Sequence, residues 1–358
     1  MRALRLLLLA ALLLSAPLRA GAVILYRTGD PNENTTPPGG ALAGSGWQYQ
    51  GIWGGFLGTP IAPHFFIAAK HVGHGGVFVF GGVSYEIVRE YPDPTSDLSL
   101  WEVAQPFPPS ALAPLYTGSN EVGTHLVAFG RGTQRGAAAL LGDTPKGWHW
   151  GGGDGVQRWG ENQVAGIDAM SPDWHLLRAS FDQIGLPNEC HLSVGDSSGA
   201  AFLNDNGIWK LAGIHYAVDG PFHTDAAGNG QFFGALFDMT GFFVWNGSQF
   251  VQITAPNPAP SAFYSTRIST KLPWIGGSIA QPRLEREGST VSLRYTRIIA
   301  APTEVAYEVQ QSSDLVDWVP AAVQEEVTPI SASIQSVKAS LPLGTTTRLF
   351  LRVRISRP

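Results

Sequence analysis

The chain has 358 residues, enough for two domains at roughly 100–200 residues each. Only 14% of the residues are charged while glycine (43) and proline (26) are frequent, which excludes long charged helices and favours short strands and turns. The net charge is −5, and no basic patch interleaved with aromatics marks a nucleic-acid partner.

Residues 1–22 read as a secretory signal peptide. Arg2 and Arg5 precede the apolar run Leu6 to Leu14, and small residues follow at Ala20-Gly21-Ala22. Cleavage is expected after Ala22, with Ala20 the competing site. A membrane anchor needs about 18 or more apolar residues, so no membrane span is expected once the leader is removed. Loss of Arg2, Arg5 and Arg19 takes the net charge from −5 to −8. Cys190 is the single cysteine, so no intramolecular disulfide can form. Export without disulfides suits a bacterial protein of the periplasm, cell surface or medium. Cys190 itself reads as a small buried hydrophobe rather than a nucleophile.

In the mature chain Val23 to Tyr26 is a short strand, and Thr28 to Gly46 a loop rich in Pro, Gly, Asn and Thr. Trp47 to Val72 alternates apolar runs with turns and ends in Phe65-Phe66-Ile67-Ala68-Ala69-Lys70-His71. Further strands are expected at Gly81 to Val88, Leu98 to Val103, Gly123 to Phe129, Arg158 to Val164 and Trp174 to Ser180. Ala200 to Leu203 and Trp209 to Ala217 complete the series. Short strands at regular spacing with glycine-rich turns predict an all-β barrel or sandwich. The run Gly151 to Gly155 has no following lysine or helix pattern, so it reads as a flexible turn and not a phosphate loop. The histidines show no metal-ligand grouping, and no metal or cofactor is expected.

Three chemically competent residues arrive in order. His71 follows an apolar strand, Asp97 precedes an alternating one, and Ser197 sits in the turn Val194-Gly195-Asp196-Ser197-Ser198-Gly199-Ala200. A serine is a weak nucleophile without an adjacent base. Histidine titrates near neutrality and can take and return a proton. A buried carboxylate holds the imidazole in one tautomer and stabilises its charged form. The N–H groups of Gly195 and Ser197 are placed by such a turn to meet a developing oxyanion.

At these residues the chain resembles the trypsin/chymotrypsin-like serine proteases. Ala68-Ala69-Lys70-His71 is similar to the family's T-A-A-H-C segment, with Lys70 as an extra residue. Asp97-Leu98-Ser99-Leu100 resembles D-I-A-L, and Gly195-Asp196-Ser197-Ser198-Gly199-Ala200 resembles G-D-S-G-G-P. Gly123-Thr124 with Gly130-Arg131-Gly132, then Gly213-Ile214-His215, then Phe263 to Ile268 with Leu272-Pro273-Trp274-Ile275, match further segments in order. The resemblance runs from about Trp47 to Ala280. It implies a two-barrel fold, a protein or peptide substrate, Ser197 as nucleophile, His71 as general base and acid, and Asp97 as the orienting carboxylate. It also implies an oxyanion hole at Gly195 and Ser197, and a substrate-binding strand at Gly213, Ile214 and His215. The position six before the nucleophile, used at the base of the family's primary pocket, is His191, which speaks against a trypsin-like preference. Ser198 stands where the family has glycine and remains a rival nucleophile, and its side chain would crowd a turn that needs positive φ. The resemblance further implies that an amino group freed at Val23 would pair with Asp196.

After Gln281-Pro282 the character changes. Alternating, β-branched-rich runs at Arg283 to Arg297, Val305 to Gln311, Ser331 to Ala339 and Thr346 to Ser356 predict a small β-sandwich, loosely fibronectin type III-like. The expected organisation is therefore a leader over 1–22, a protease-like domain over 23–281 and a sandwich over 282–358. The expected function is a secreted serine endopeptidase. The competing readings are an inactive protease-like binding module and an adhesive surface protein.

Overall fold

The computed structural model describes residues 23–73, 76–301, 303–344 and 348–357. The expected leader lies outside these residues, as does His74. The chain is all-β, with two barrel-like units side by side and a sandwich behind them.

Strand β1 (Ile24–Leu25) is followed by β2 (Gly51–Trp53), β3 (Phe56–Ala62), β4 (Phe65–Ala69), β5 (Phe78–Phe80), β6 (Val83–Tyr85), β7 (Ile87–Pro92) and β8 (Leu98–Val103). The last seven form one antiparallel sheet in the order β6-β5-β2-β3-β4-β8-β7, a half-barrel by its hydrogen bonds. The chain itself bridges the two edges. Only Glu86 separates β6 from β7, so one bent stretch pairs with β5 at one end and with β8 at the other. That leaves little unpaired edge to recruit another chain. The strand expected over Gly81 to Val88 is thus this bend, begun at Val83.

The second unit contains β9 (His125–Gly130), β10 (Thr133–Leu141), β11 (Thr144–Gly153), β12 (Arg158–Ser171), β13 (Trp174–Ser180), β14 (Cys190–His191), β15 (Ala200–Asp205), β16 (Ile208–Val218), β17 (Gly234–Leu236), β18 (Phe243–Trp245), β19 (Phe250–Gln252) and β20 (Ala262–Arg267). Six of them close a barrel in the order β12-β13-β20-β16-β15-β9. β10, β11 and β17 make a separate three-stranded sheet. The run Gly151 to Gly153 lies in β11 and not in a turn, which corrects the sequence expectation. Glycine there lets neighbouring backbones approach: a Cβ on Gly151 would lie 3.0 Å from the Gln134 carbonyl oxygen.

Both faces of the central strands are buried, which explains their continuous apolar runs. In β4, Phe66 and Ala68 enter the half-barrel interior, where Phe66 stacks on Phe78 with ring centroids 4.1 Å apart. The alternate residues Phe65, Ile67 and Ala69 join a cluster between the two units. β9 and β15 do the same from the other side: Val127, Phe129, Ala200 and Phe202 face the shared cluster, and Leu126, Ala128, Ala201 and Leu203 fill the closed barrel. A strand with a period of two and apolar partners on each side has no polar face to show.

Helix α1 (Leu272–Ala280) follows β20 and packs on the sandwich. The sandwich comprises β21 (Arg283–Glu287), β22 (Thr290–Ile298), β23 (Ala306–Ser312), β24 (Val319–Pro320), β25 (Gln324–Pro329), β26 (Ile334–Pro342) and β27 (Phe350–Ser356). Its sheets run β21-β22-β26-β25 and β24-β23-β27. Ile298, Val305 and Ile334 belong to the same buried cluster as Leu272, Ile275 and Ile279 of α1. The Ser333 hydroxyl also accepts the Leu115 N–H at 2.9 Å, so the sandwich satisfies a buried backbone donor of the two-barrel part. Ile334→Ala is therefore expected to lower stability by about 2–5 kcal/mol, the range for truncating a fully buried aliphatic. Urea denaturation checks this, and a loss under about 1 kcal/mol would contradict a shared core.

Candidate active site

His71 lies in a 3₁₀ turn, Lys70–Val72, directly after β4. Asp97 directly precedes β8, and Ala69 pairs with Leu98 across the two strands. That register alone brings the two residues together. The Lys70 N–H donates to the Asp97 carbonyl at 3.1 Å, and the His71 N–H donates to Asp97 Oδ1 at 2.9 Å. His71 Nδ1 lies 2.6 Å from Asp97 Oδ2, with the carboxylate buried and the imidazole about one-third exposed. A carboxylate only accepts, so Nδ1 carries the proton, and the neutral tautomer this selects presents a lone pair at Nε2. Ser197 Oγ lies 2.9 Å from that nitrogen. Histidine and aspartate come from the half-barrel, and serine from the closed barrel.

The Asp97 loop is held by two cations, one of them the Lys70 that the sequence sets beside His71, through contacts that the sequence does not announce. Lys70, the extra residue beside His71, donates from Nζ to the carbonyls of Asp93 (2.8 Å) and Ser96 (2.6 Å). Lys271 forms a buried ion pair with Asp93 at 2.7 Å and also reaches the Thr95 hydroxyl. Lys70 therefore braces the loop that carries the carboxylate. Lys271 is 176 positions from Thr95, so no local pattern announces the contact.

The serine turn is built around Asp196, which is 1% exposed. Its Oδ1 accepts the Gly132 N–H at 2.7 Å, and its Oδ2 accepts the Ser193 N–H at 2.8 Å, the Ser193 hydroxyl at 3.0 Å and the Val23 N–H at 3.3 Å. Burial still pushes its carboxyl up to about 6. Glycine is needed at 130, where a Cβ would sit 2.0 Å from Asp196 Oδ1. Gly195 has φ +93, a backbone that side chains rarely adopt. Ser198 also has positive φ, +66, and is fully buried, with its hydroxyl bonded to Leu57 and Ala69. The rival nucleophile thus has no exposed oxygen.

A cavity of about 310 Å³ opens beside Ser197. Its walls include Leu192, Ala217 and Val218, together with Trp150 and Phe233, whose rings stack 4.7 Å apart. Tyr216 lines it too and meets the His71 ring edge-on, with centroids 5.9 Å apart. Of the residues expected to bind substrate, His215 lines this cavity. His191, Gly213 and Ile214 do not. His191 is buried behind it, paired with Ile24, with its Nε2 3.2 Å from the Ser261 hydroxyl and its ring against Phe181 and Phe263. Trp150 and Phe233 were missed because they come from the glycine-rich hairpin and a long loop. Cys190 is buried among apolar groups, and burial pushes its thiol well above the ordinary range. Among the described residues, no group of three or more His, Cys, Asp or Glu side chains is placed to hold a metal, and no helix is long and apolar enough to cross a membrane.

No family profile matches the chain, and no curated protein does. Two solved structures of the M. tuberculosis protein Rv3671c are similar to it. One, a serine-to-alanine mutant in an inactive form, is 15% identical with a TM-score of 0.36, covering 68% of this chain and 92% of its own. The other, described as the Rv3671c protease in an inactive form, is 15% identical with a TM-score of 0.33, covering 51% of this chain and 86% of its own.

His215 is fully buried with Nδ1 2.9 Å from the Ser265 hydroxyl, and burial lowers its pKa to about 3. The unfolded chain binds that proton near 6.5, so the stabilisation is complete above pH 6.5 and is lost as pH falls toward 3. Replacing His215 by Leu is expected to remove this loss. In urea titrations the wild-type advantage over the variant should shrink on going from pH 7 to pH 4, and a pH-independent difference would refute the assignment.

Proposed function

We propose that the chain is a serine endopeptidase acting on protein or peptide substrates. The observation that carries this reading is the hydrogen-bonded path from Asp97 through His71 to Ser197, assembled across the two barrel-like units. In the proposed reaction Ser197 Oγ attacks the scissile carbonyl carbon while His71 Nε2 takes its proton. The oxyanion is met by the N–H groups of Gly195 and Ser197. The His71 imidazolium, stabilised by Asp97, then protonates the leaving amine as the C–N bond breaks, leaving an acyl-enzyme. Water, deprotonated by the same imidazole, attacks the ester carbonyl, and the imidazolium then protonates Ser197 Oγ as the ester C–O bond breaks, releasing the acid.

The walls of the adjoining cavity support a large apolar or aromatic side chain on the acyl side of the cleaved bond. A charged side chain would lose its hydration there, and the one carboxylate in the lining, Asp196, is already engaged by donors from Gly132, Ser193 and Val23. Export with removal of residues 1–22 would free an ammonium at Val23. The Val23 nitrogen lies 3.3 Å from the buried Asp196 carboxylate, and a charge there would favour the ionised acid. The enzyme would then gain activity on leader removal, without a separate activating cut.

A fluorophosphonate probe is expected to label the mature wild type and not Ser197→Ala. Absence of wild-type labelling would sink the enzyme reading, and labelling that persists in Ser197→Ala would move the nucleophile elsewhere. Asp97→Asn should lower turnover by about 10⁴, by the tautomer argument. Among matched peptide amides, Phe or Leu at the cleaved position should exceed Asp or Lys by at least about tenfold in kcat/KM. An added residue before Val23 should depress activity, and unchanged activity would remove the leader-coupled mechanism.

A further inference from the structure

We infer that the Ser198 hydroxyl is a positioning element that locks the nucleophile turn into the strand pair carrying the histidine. The inference rests on the reading of Ser197 as nucleophile and names what holds it in place. β3 and β4 pair antiparallel, with Thr59 opposite Ile67 and Pro60 opposite Phe66. Carried on by the same register, the next matching rung is Leu57 opposite Ala69. In an ordinary ladder the Ala69 N–H would donate to the Leu57 carbonyl. Here the hydroxyl of Ser198 sits between them. Its oxygen accepts the Ala69 N–H at 3.0 Å, and its proton goes to the Leu57 carbonyl at 2.7 Å. One rung of the half-barrel is thus completed by a side chain from the closed barrel.

Three observations show that the arrangement is specific. Ser198 holds φ +66, a backbone region costly for serine and free for glycine. It is 0% exposed, so its hydroxyl must find its partners inside the protein. Its own N–H donates to the His215 carbonyl at 3.1 Å, and the His215 N–H returns to the Gly199 carbonyl at 2.8 Å, so the residue is fixed at the backbone as well. A glycine would relieve the backbone cost and lose the hydroxyl; the chain keeps the hydroxyl.

The consequence lies in the spacing of the reacting atoms. Ser198 directly follows Ser197, and Ala69 precedes His71 by two residues. The hydroxyl therefore ties the nucleophile's own turn to the last residue of the strand that delivers the base. The Ser197–His71 separation of 2.9 Å spans two sheets, and the Ser198 hydroxyl links those sheets directly from the residue next to the nucleophile. Displacements of about 1 Å in such a geometry cost on the order of 10² in rate.

Ser198→Gly and Ser198→Ala separate positioning from mere stability. Glycine removes the hydroxyl and relieves the backbone cost, whereas alanine removes the hydroxyl and keeps the cost, so alanine should be the less stable. If the hydroxyl positions the nucleophile, both variants should lose the maximal rate of fluorophosphonate labelling by about 10–100-fold, at an unchanged half-saturating probe concentration. The pH midpoint of labelling should shift in both, because the hydrogen bond between Ser197 and His71 is altered. A Ser198→Gly enzyme that labels within twofold of wild type with an unshifted pH midpoint overturns the proposal. Amide hydrogen exchange gives a second reading that needs no catalysis: the Ala69 N–H should exchange faster in Ser198→Gly, and unchanged protection also overturns it. A wild type that takes no label, with Ala69 exchanging faster in the variant, would refute the nucleophile reading and with it the positioning role, while leaving the ladder insertion standing.

Discussion

Everything in the molecule depends on a seam in which strands are buried on both faces. β4 from one unit and β9 and β15 from the other each present alternate residues to their own interior and to the shared cluster. Burial of this kind stabilises by roughly 25 cal/mol for each Å² of apolar surface removed from water, and it is indifferent to direction. It brings the sheets together without specifying how they are aligned. The polar contacts that cross the seam set that alignment, and they concentrate where His71 meets Ser197.

Those contacts follow a common rule. A buried donor or acceptor without a partner costs far more than a made bond contributes, so each one dictates its surroundings. Asp196 gathers the N–H groups of Gly132, Ser193 and Val23 around one carboxylate, and so joins the first residues of the described chain to the serine turn. Ser198 takes over a rung of the β3–β4 ladder. Lys70 and Lys271 fasten the loop that leads into Asp97. A bidentate pair of Arg267 with Glu121, both oxygens at 2.7 Å, anchors the end of β20 just before α1. The first three of these networks border the site.

The sandwich takes part in the same economy. Its Ile298, Val305 and Ile334 extend the seam's cluster through α1, and the Tyr307 hydroxyl accepts the Ile298 N–H at 3.0 Å. The sandwich has a core of its own at Leu293, Tyr295, Val309, Val337 and Ala339, and at one end its Ile298, Val305 and Ile334 pack into the cluster shared with α1 and the two barrel-like units.

Sequence reading alone reached the β-rich class, most strand positions and the trio His71, Asp97 and Ser197 as residues of matching chemistry. Those are local properties: alternation, turn residues and the setting of a functional side chain within a few positions. It misread Gly151 to Gly153, because glycine carries the same signature in a turn and in a strand whose backbone neighbours press close. It placed His191 with the substrate contacts by analogy of spacing, whereas the packing of β14 against β1 turns it behind the cavity. Trp150 and Phe233 as cavity walls, Lys271 on Asp93, and Ser198 in another sheet's ladder had no local trace. Trp150 and Phe233 lie 83 positions apart, Ser198 lies 129 from Ala69 and Lys271 lies 178 from Asp93, and each partner was chosen by what needed a hydrogen bond or a cover once the sheets had met. The amino-acid order decided which residues could do chemistry. Only the closing of two sheets on one apolar seam decided which of them touch, because that choice is made by the burial of groups that are strangers along the chain.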